Sequence, residues 1–171
     1  MSLVVEDGTG LSTAESYVSV ADADTYHALW GNAGWTGSTA VKEVALRRAA
    51  RYLDATYGQT WQGSRVNSDQ ALNWPRFGAY TREGFNIGSD ALPASLVTAC
   101  AEMALLALSE DIYPDLSGTG VVSSESASVG SLSTSTTYIG GKSPLKSYRA
   151  VDALVSELLN FGGGNTELQR G

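Results

Sequence analysis

The chain carries one histidine and one cysteine, and these two residues bound the catalysis it could perform. A Ser–His–acid relay or a Cys–His pair would have to use His27, which stands beside Tyr26 and Trp30 in a short helical stretch. Spacing identifies no partner for it, so the plainer reading is a partly exposed helix histidine. Cys100 excludes a disulfide within the chain and any four-cysteine metal site, and its apolar surroundings make it a small core residue. Asp22 and Asp24 could join Glu6 and Asp7 around a cation, yet their spacing does not match the alternating ligands of a calcium loop, and N-capping explains them better. Gly162-Gly163-Gly164 lacks the lysine of a phosphate loop and follows a helix instead of preceding one. The sequence therefore predicts a protein that is not an enzyme and uses no metal or cofactor.

One constellation could bind without catalysis. Arg47, Arg48 and Arg51, with Arg65, Arg76 and Arg82, are the basic concentration of the chain, interleaved with Trp61, Trp74 and Phe77. Such a set can clamp and stack single-stranded nucleic acid. The alternative is ion pairing with the surplus of carboxylates. A net charge of −7 and the absence of a long basic stripe favour that second reading.

The elements that must position these residues are legible from period and caps. A chain of 171 residues, 43% hydrophobic and 17% charged, is enough for one domain with a real core. The N-terminus shows no signal-peptide pattern, and no run approaches the length of a membrane span. Short extended pieces at Leu3–Val5 and Tyr17–Val20 flank an Asp-Gly-Thr-Gly turn, and Ser19 caps a short helix over about 20–30. A long helix over 39–57 places Val41, Val44, Ala45, Ala49, Tyr52, Leu53 and Thr56 on a buried face, with Gly58 as its C-terminal cap. Residues 93–112 read as the central helix, apolar almost all round, and 145–161 as a third long one. The fold class is mainly α: a small helical bundle of three long helices and one short, with long irregular loops and an inserted β-hairpin arm.

The arm is the Ser/Thr/Gly tract at 117–143. With Gly130-Ser131 as a two-residue turn, Val129 meets Leu132, Ala127 meets Thr134 and Glu125 meets Thr136 on one face. Ser123 then faces Tyr138, and Val122 faces Ile139. A two-stranded hairpin is marginal alone, so an ordered arm would draw its order from a partner. The expected organisation is a domain over 1–161 with this projecting arm, then a flexible tail over 162–171.

The stretch ALNWPRFG at 71–78 sits within an irregular segment, 59–90, too long to be idle. Aromatics and arginine dominate interface energetics, so Trp74, Pro75, Arg76 and Phe77 read as a partner interface. Packing back over the chain's own central helix is the alternative.

Four segments in order, VEDGTGLSTAESYVSVADADTYHA, KEVALRRAARYLDATYG, QALNWPRFG and LPASLVTACAEMALLAL, resemble the head-to-tail adaptor (connector) proteins of tailed bacteriophages. The resemblance is narrower to the subgroup labelled DnaT-like single-stranded-DNA-binding proteins. It covers residues 3–116 well and 144–161 weakly. It implies a structural virion protein of the neck between capsid and tail, assembled in the host cytoplasm. About a dozen copies would form a ring under the portal and dock the head-closure or tail protein. Viral DNA would pass through the channel without sequence-specific binding. On this reading the arm residues Val129, Leu132 and Tyr138 touch neighbouring subunits, and the tail residues Leu168 and Arg170, with Phe161 at the end of the last helix, form the interface toward the portal. The subgroup label supplies the alternative, a phage protein that binds single-stranded DNA.

Overall fold

The computed structural model describes residues 2–113, 122–128, 133–138 and 148–160. Among these the chain is mainly helical, with four α-helices and two small antiparallel ladders. It falls into two units: Met1–Ile112 with Tyr148–Gly171, and Tyr113–Ser147.

Helix α1, Val20–Leu29, starts where Ser19 accepts a hydrogen bond from the Asp22 amide, and Gly31 turns the chain away at φ 66°. Helix α2, Thr39–Tyr57, is capped by Ser38, whose hydroxyl accepts from the Val41 amide. Its buried face is Ala45, Leu46, Ala49, Ala50, Tyr52, Leu53 and Tyr57. Val41, Val44 and Thr56, expected on that face, are exposed. The helix packs through its middle and C-terminal turns, leaving the first turn outside. Gly58 follows with φ −51° and ψ −36°, in the right-handed region, so it is not the left-handed cap expected. A Cβ there would come 2.4 Å from the Asp54 carbonyl oxygen.

Helix α3, Ala94–Ser109, buries Leu96, Ala99, Cys100, Ala101, Met103, Ala104 and Ala107 and packs against α1, α2 and a fourth helix. That helix, α4, runs only from Arg149 to Val155, followed by a 3₁₀ turn over Ser156–Leu158. The third long helix expected over 145–161 is therefore a short one within the described residues. Its C-terminal end is diverted by pairing with the segment after α2. Leu159 bridges to Trp61, the Gln62 amide donates to the Leu158 carbonyl at 2.9 Å, and the Asn160 amide donates to Thr60 at 2.6 Å. Cross-chain backbone bonds replace the next helical turn. The Tyr57 hydroxyl, donating to Asp152, fastens α2 to α4.

Strands β1, Ser64–Arg65, and β2, Arg76–Phe77, form a two-rung ladder with Ser64 opposite Phe77 and Arg65 opposite Arg76.

In the second unit, β3, Val122–Ser128, pairs antiparallel with β4, Ser133–Tyr138. Ala127 faces Thr134 and Glu125 faces Thr136, the register the sequence pairing predicts. The register slips between Val122 and Ser124, so Val122 faces Tyr138 and not Ile139. The turn residues Gly130 and Ser131 lie outside the described residues, as do Val129 and Leu132.

Candidate functional site

The irregular segment after α2 is held by its own polar side chains. Trp61 and Trp74 are buried and meet edge to face, 6.0 Å between centroids at 81°, with the Tyr57 ring 5.6 Å from Trp61. Beside them Arg76 is folded inward. Its guanidinium donates to the carbonyls of Gln62 at 2.5 Å, Gly63 at 2.7 Å and Asn73 at 3.1 Å. Burial, with Arg65 nearby, pulls the Arg76 pKa below its ordinary value. Gln70, also buried, donates to the carbonyls of Leu72 and Pro75 and accepts from the Asn67 amide. The Asn73 amide is received by Asp54 Oδ2 at 2.9 Å and by the Tyr17 hydroxyl oxygen at 3.0 Å. A loop carrying unpaired backbone groups could not approach the core so closely. Here Asp54, Gln70 and Arg76 supply side-chain partners for the backbone of residues 62, 63, 72, 73 and 75, while the Trp61 and Trp74 indole N–H groups have none among the described residues.

Outward from this brace the chain changes character. The Tyr80 amide donates to Gln62 Oε1 at 3.0 Å, Ile87 N to the Ala79 carbonyl, and Thr81 N to the Phe85 carbonyl, which closes a turn over Thr81–Phe85. Gly84, at φ 87°, lets that turn reverse. Three large aromatics of this stretch stand in solvent: Phe77 at the end of β2, 68% exposed, Tyr80 before the turn, 49%, and Phe85 at its end, 71%. Arg82, between them in sequence, is exposed without a hydrogen-bond or ion-pair partner among the described residues.

On the other side of the β1–β2 ladder lies a cleft of about 370 Å³ between α2 and residues 65–73. Arg47, Arg51 and Arg65 line it with Asn73, facing Glu15 and Asp54. Arg65 donates through Nε and Nη2 to Asn73 Oδ1, at 3.2 and 3.1 Å. Arg47 is held by Glu15 at 2.9 Å and Glu43 at 3.6 Å, and its hydrogen bond is the largest cause that lowers the Glu15 pKa below the usual carboxylate value. Arg51 is exposed with no such partner among the described residues. Burial raises the Asp54 carboxyl, against hydrogen bonds from Tyr17 and Asn73. The ion-pair reading of the arginines thus holds for Arg47, while Arg48, Arg51 and Arg82 are unpaired among the described residues.

The residues weighed for chemistry have structural tasks. His27 is buried, Nε2 meeting the Ala101 carbonyl at 3.2 Å and Nδ1 meeting Asn32 Nδ2 at 3.0 Å. The sequence had suggested partial exposure. Its placement between α1 and α3, against the Trp35 ring, is what buries it. Cys100 is fully buried and its thiol is pushed up to about 12 by that burial. Glu6 receives the amides of Gly8, Gly10 and Leu11, closing the Asp-Gly-Thr-Gly turn from within. Among the described residues no cluster of three His, Cys, Asp or Glu side chains could hold a metal.

Of the expected interface, Trp74, Pro75 and Arg76 turn inward and Phe77 alone turns out. Phe161, Leu168 and Arg170 lie outside the described residues, as does the side chain of Tyr138. Tyr80, Phe85 and Asn73 were not singled out by sequence. The available signal was the spacing YTREGF at 80–85, two aromatics bracketing a glycine turn.

A family model described as "Putative DnaT-like ssDNA binding protein" matches residues 1–171. No curated protein and no solved structure matches the chain. The match corrects the head-to-tail adaptor expectation, for nothing in the comparisons indicates an adaptor family. The virion neck, the ring of copies, the portal and tail partners, and DNA as mere passing cargo fall with it. Net charge averages over the surface, so an acidic total does not by itself exclude a local binding site.

Proposed function

The chain belongs to the DnaT-like family that this model describes, and on that premise we propose that it binds single-stranded DNA, stacking bases on Phe77, Tyr80 and Phe85. One observation carries the reading: three exposed aromatics fall within residues 77–85, directly after Arg76, which is pinned into the core. A rigid base lets the rings accept bases without first paying for loop order. Every base has a π face, so such a platform is tolerant of sequence. Paired bases offer no free faces, and the platform therefore selects the single strand. Arg82, between Tyr80 and Phe85 in sequence and exposed, adds a cation to this stretch.

The reading is of binding without a chemical step. His27 has both ring nitrogens engaged and Cys100 is held as a thiol, which supports it. The net charge of −7 makes the interaction local and sensitive to salt. Titration of a labelled oligothymidylate and of the matching duplex tests the proposal. Binding of the single strand, reduced in Phe77→Ala and Phe85→Ala, is expected. Equal affinity for the duplex, or variants indistinguishable from the parent, would overturn it.

A further inference from the structure

Resting on that reading, we infer that the cleft lined by Arg47, Arg51, Arg65 and Asn73 seats the phosphates of the same strand. The cleft and the aromatic turn share the β1–β2 ladder. Arg65 and Phe77 occupy adjacent rungs, because Arg65 pairs with Arg76 and Ser64 pairs with Phe77. Alternation sends them to opposite faces of a ribbon two strands wide. A strand whose backbone enters the cleft turns its bases over the edge of that ribbon onto Phe77.

The donors suit a phosphodiester. Arg65 is held in one orientation by Asn73 Oδ1 and by the Gln70 carbonyl at 3.4 Å. Arg51 lacks any partner among the described residues and is free to swing onto an oxyanion. A planar guanidinium matches two phosphate oxygens at once. At about 370 Å³ the cleft takes a backbone segment and not a duplex.

Glu15 gives the site its internal competitor. Its carboxylate already occupies Arg47 at 2.9 Å, on the cleft's own wall. A phosphate must displace that carboxylate to gain the third arginine. Two substitutions at this cleft thus act in opposite directions: Arg51→Ala removes a phosphate donor, and Glu15→Gln removes one of the two negative charges that compete for Arg47, the other being Glu43. Glutamine keeps an oxygen for the Val4 amide, which Glu15 now receives at 3.1 Å.

The test is anisotropy of a labelled oligothymidylate against the full chain over a range of NaCl. Arg48→Ala serves as the control, an exposed arginine of α2 outside this cleft. Arg51→Ala should lower the steepness of log Kobs against log salt by roughly 0.7, the value of one phosphate contact on a single strand. Glu15→Gln should tighten binding at low salt and steepen the dependence. Arg48→Ala should leave the slope where it is. If Arg51→Ala and Arg48→Ala weaken binding equally, general charge and not the cleft is responsible, and the inference is overturned. If Phe77→Ala weakens binding while Arg51→Ala and Glu15→Gln keep the parental slope, the cleft is excluded and the stacking platform stands. Absence of any single-strand binding by the parent overturns both.

Discussion

The two halves of the segment between α2 and α3 have similar compositions and opposite fates. Residues 59–76 carry Trp61, Trp74, Arg65 and Arg76; residues 77–91 carry Phe77, Tyr80, Phe85 and Arg82. Trp61, Trp74 and Arg76 of the first half are drawn into the core, whereas Phe77, Tyr80, Phe85 and Arg82 of the second stand in water. The difference lies in the small polar residues between the large ones. The first half contains Gln62, Asn67, Gln70 and Asn73, whose amides satisfy backbone groups that burial would otherwise strand. The second half contains charge and glycine, Arg82-Glu83-Gly84, which build a turn but satisfy little beyond it. An aromatic is core or platform according to what its neighbours do for the backbone.

The sharpest way to break this comparison is Trp74→Ala. Emptying a fully buried indole site should cost about 3–5 kcal/mol in chemical denaturation. Arg76→Met comes next, at about 1–3 kcal/mol for carbonyls left without a donor, and Arg76→Lys should not restore it, since a single ammonium cannot reproduce the planar fork. The glycines then sharpen the contrast. Gly63 and Gly78 both sit at positive φ, 64° and 75°, but a Cβ on Gly63 would come 2.1 Å from the Phe77 carbonyl oxygen, whereas one on Gly78 meets nothing within 4 Å. Gly78→Ala should cost about 1–2 kcal/mol from the backbone alone, and Gly63→Ala more, read as midpoint shifts in the same titration. Smallest in stability is Phe85→Ala, within about 0.5 kcal/mol, although a stacked base lost there should weaken strand binding by about 1–3 kcal/mol.

Much of the scaffold was legible because its signals are local. Ser19 and Ser38 cap the helices they precede, and the apolar period of α3 found the buried helix. Pairing of like residues around 130–131 gave the β3–β4 register over Ser124–Ser128. What escaped is what depends on distant partners. Nothing near Leu159 announces that Trp61 will stop its helix, and nothing near His27 announces Ala101. The site was half legible for the same reason. Arg47, Arg51, Arg65 and Phe77 were marked by type, but whether Arg47 is held by a carboxylate is decided by Glu15, 32 residues away in the chain. The inward turn of Trp74-Pro75-Arg76 likewise rests on carbonyls of Gln62 and Gly63.

The buried imidazole has a use as a chemical clock. Asn32 Nδ2–H directs its hydrogen to His27 Nδ1, so Nε2 carries the ring proton toward Ala101, and neither nitrogen offers a lone pair to an acylating reagent. Because the protein has one histidine, diethylpyrocarbonate modification reports a single event, the parting of α1 from α3. Burial lowers the His27 pKa, so the unfolded chain binds the proton first as pH falls below the ordinary 6.5, and acid in that range shifts the balance toward opening. The opened fraction, read as the N-acylation rate divided by that of free imidazole at the same pH, should therefore rise as the medium is acidified. A rate that matched free imidazole at neutral pH would mean the junction between α1 and α3 is already open, and no oligonucleotide is needed to learn it.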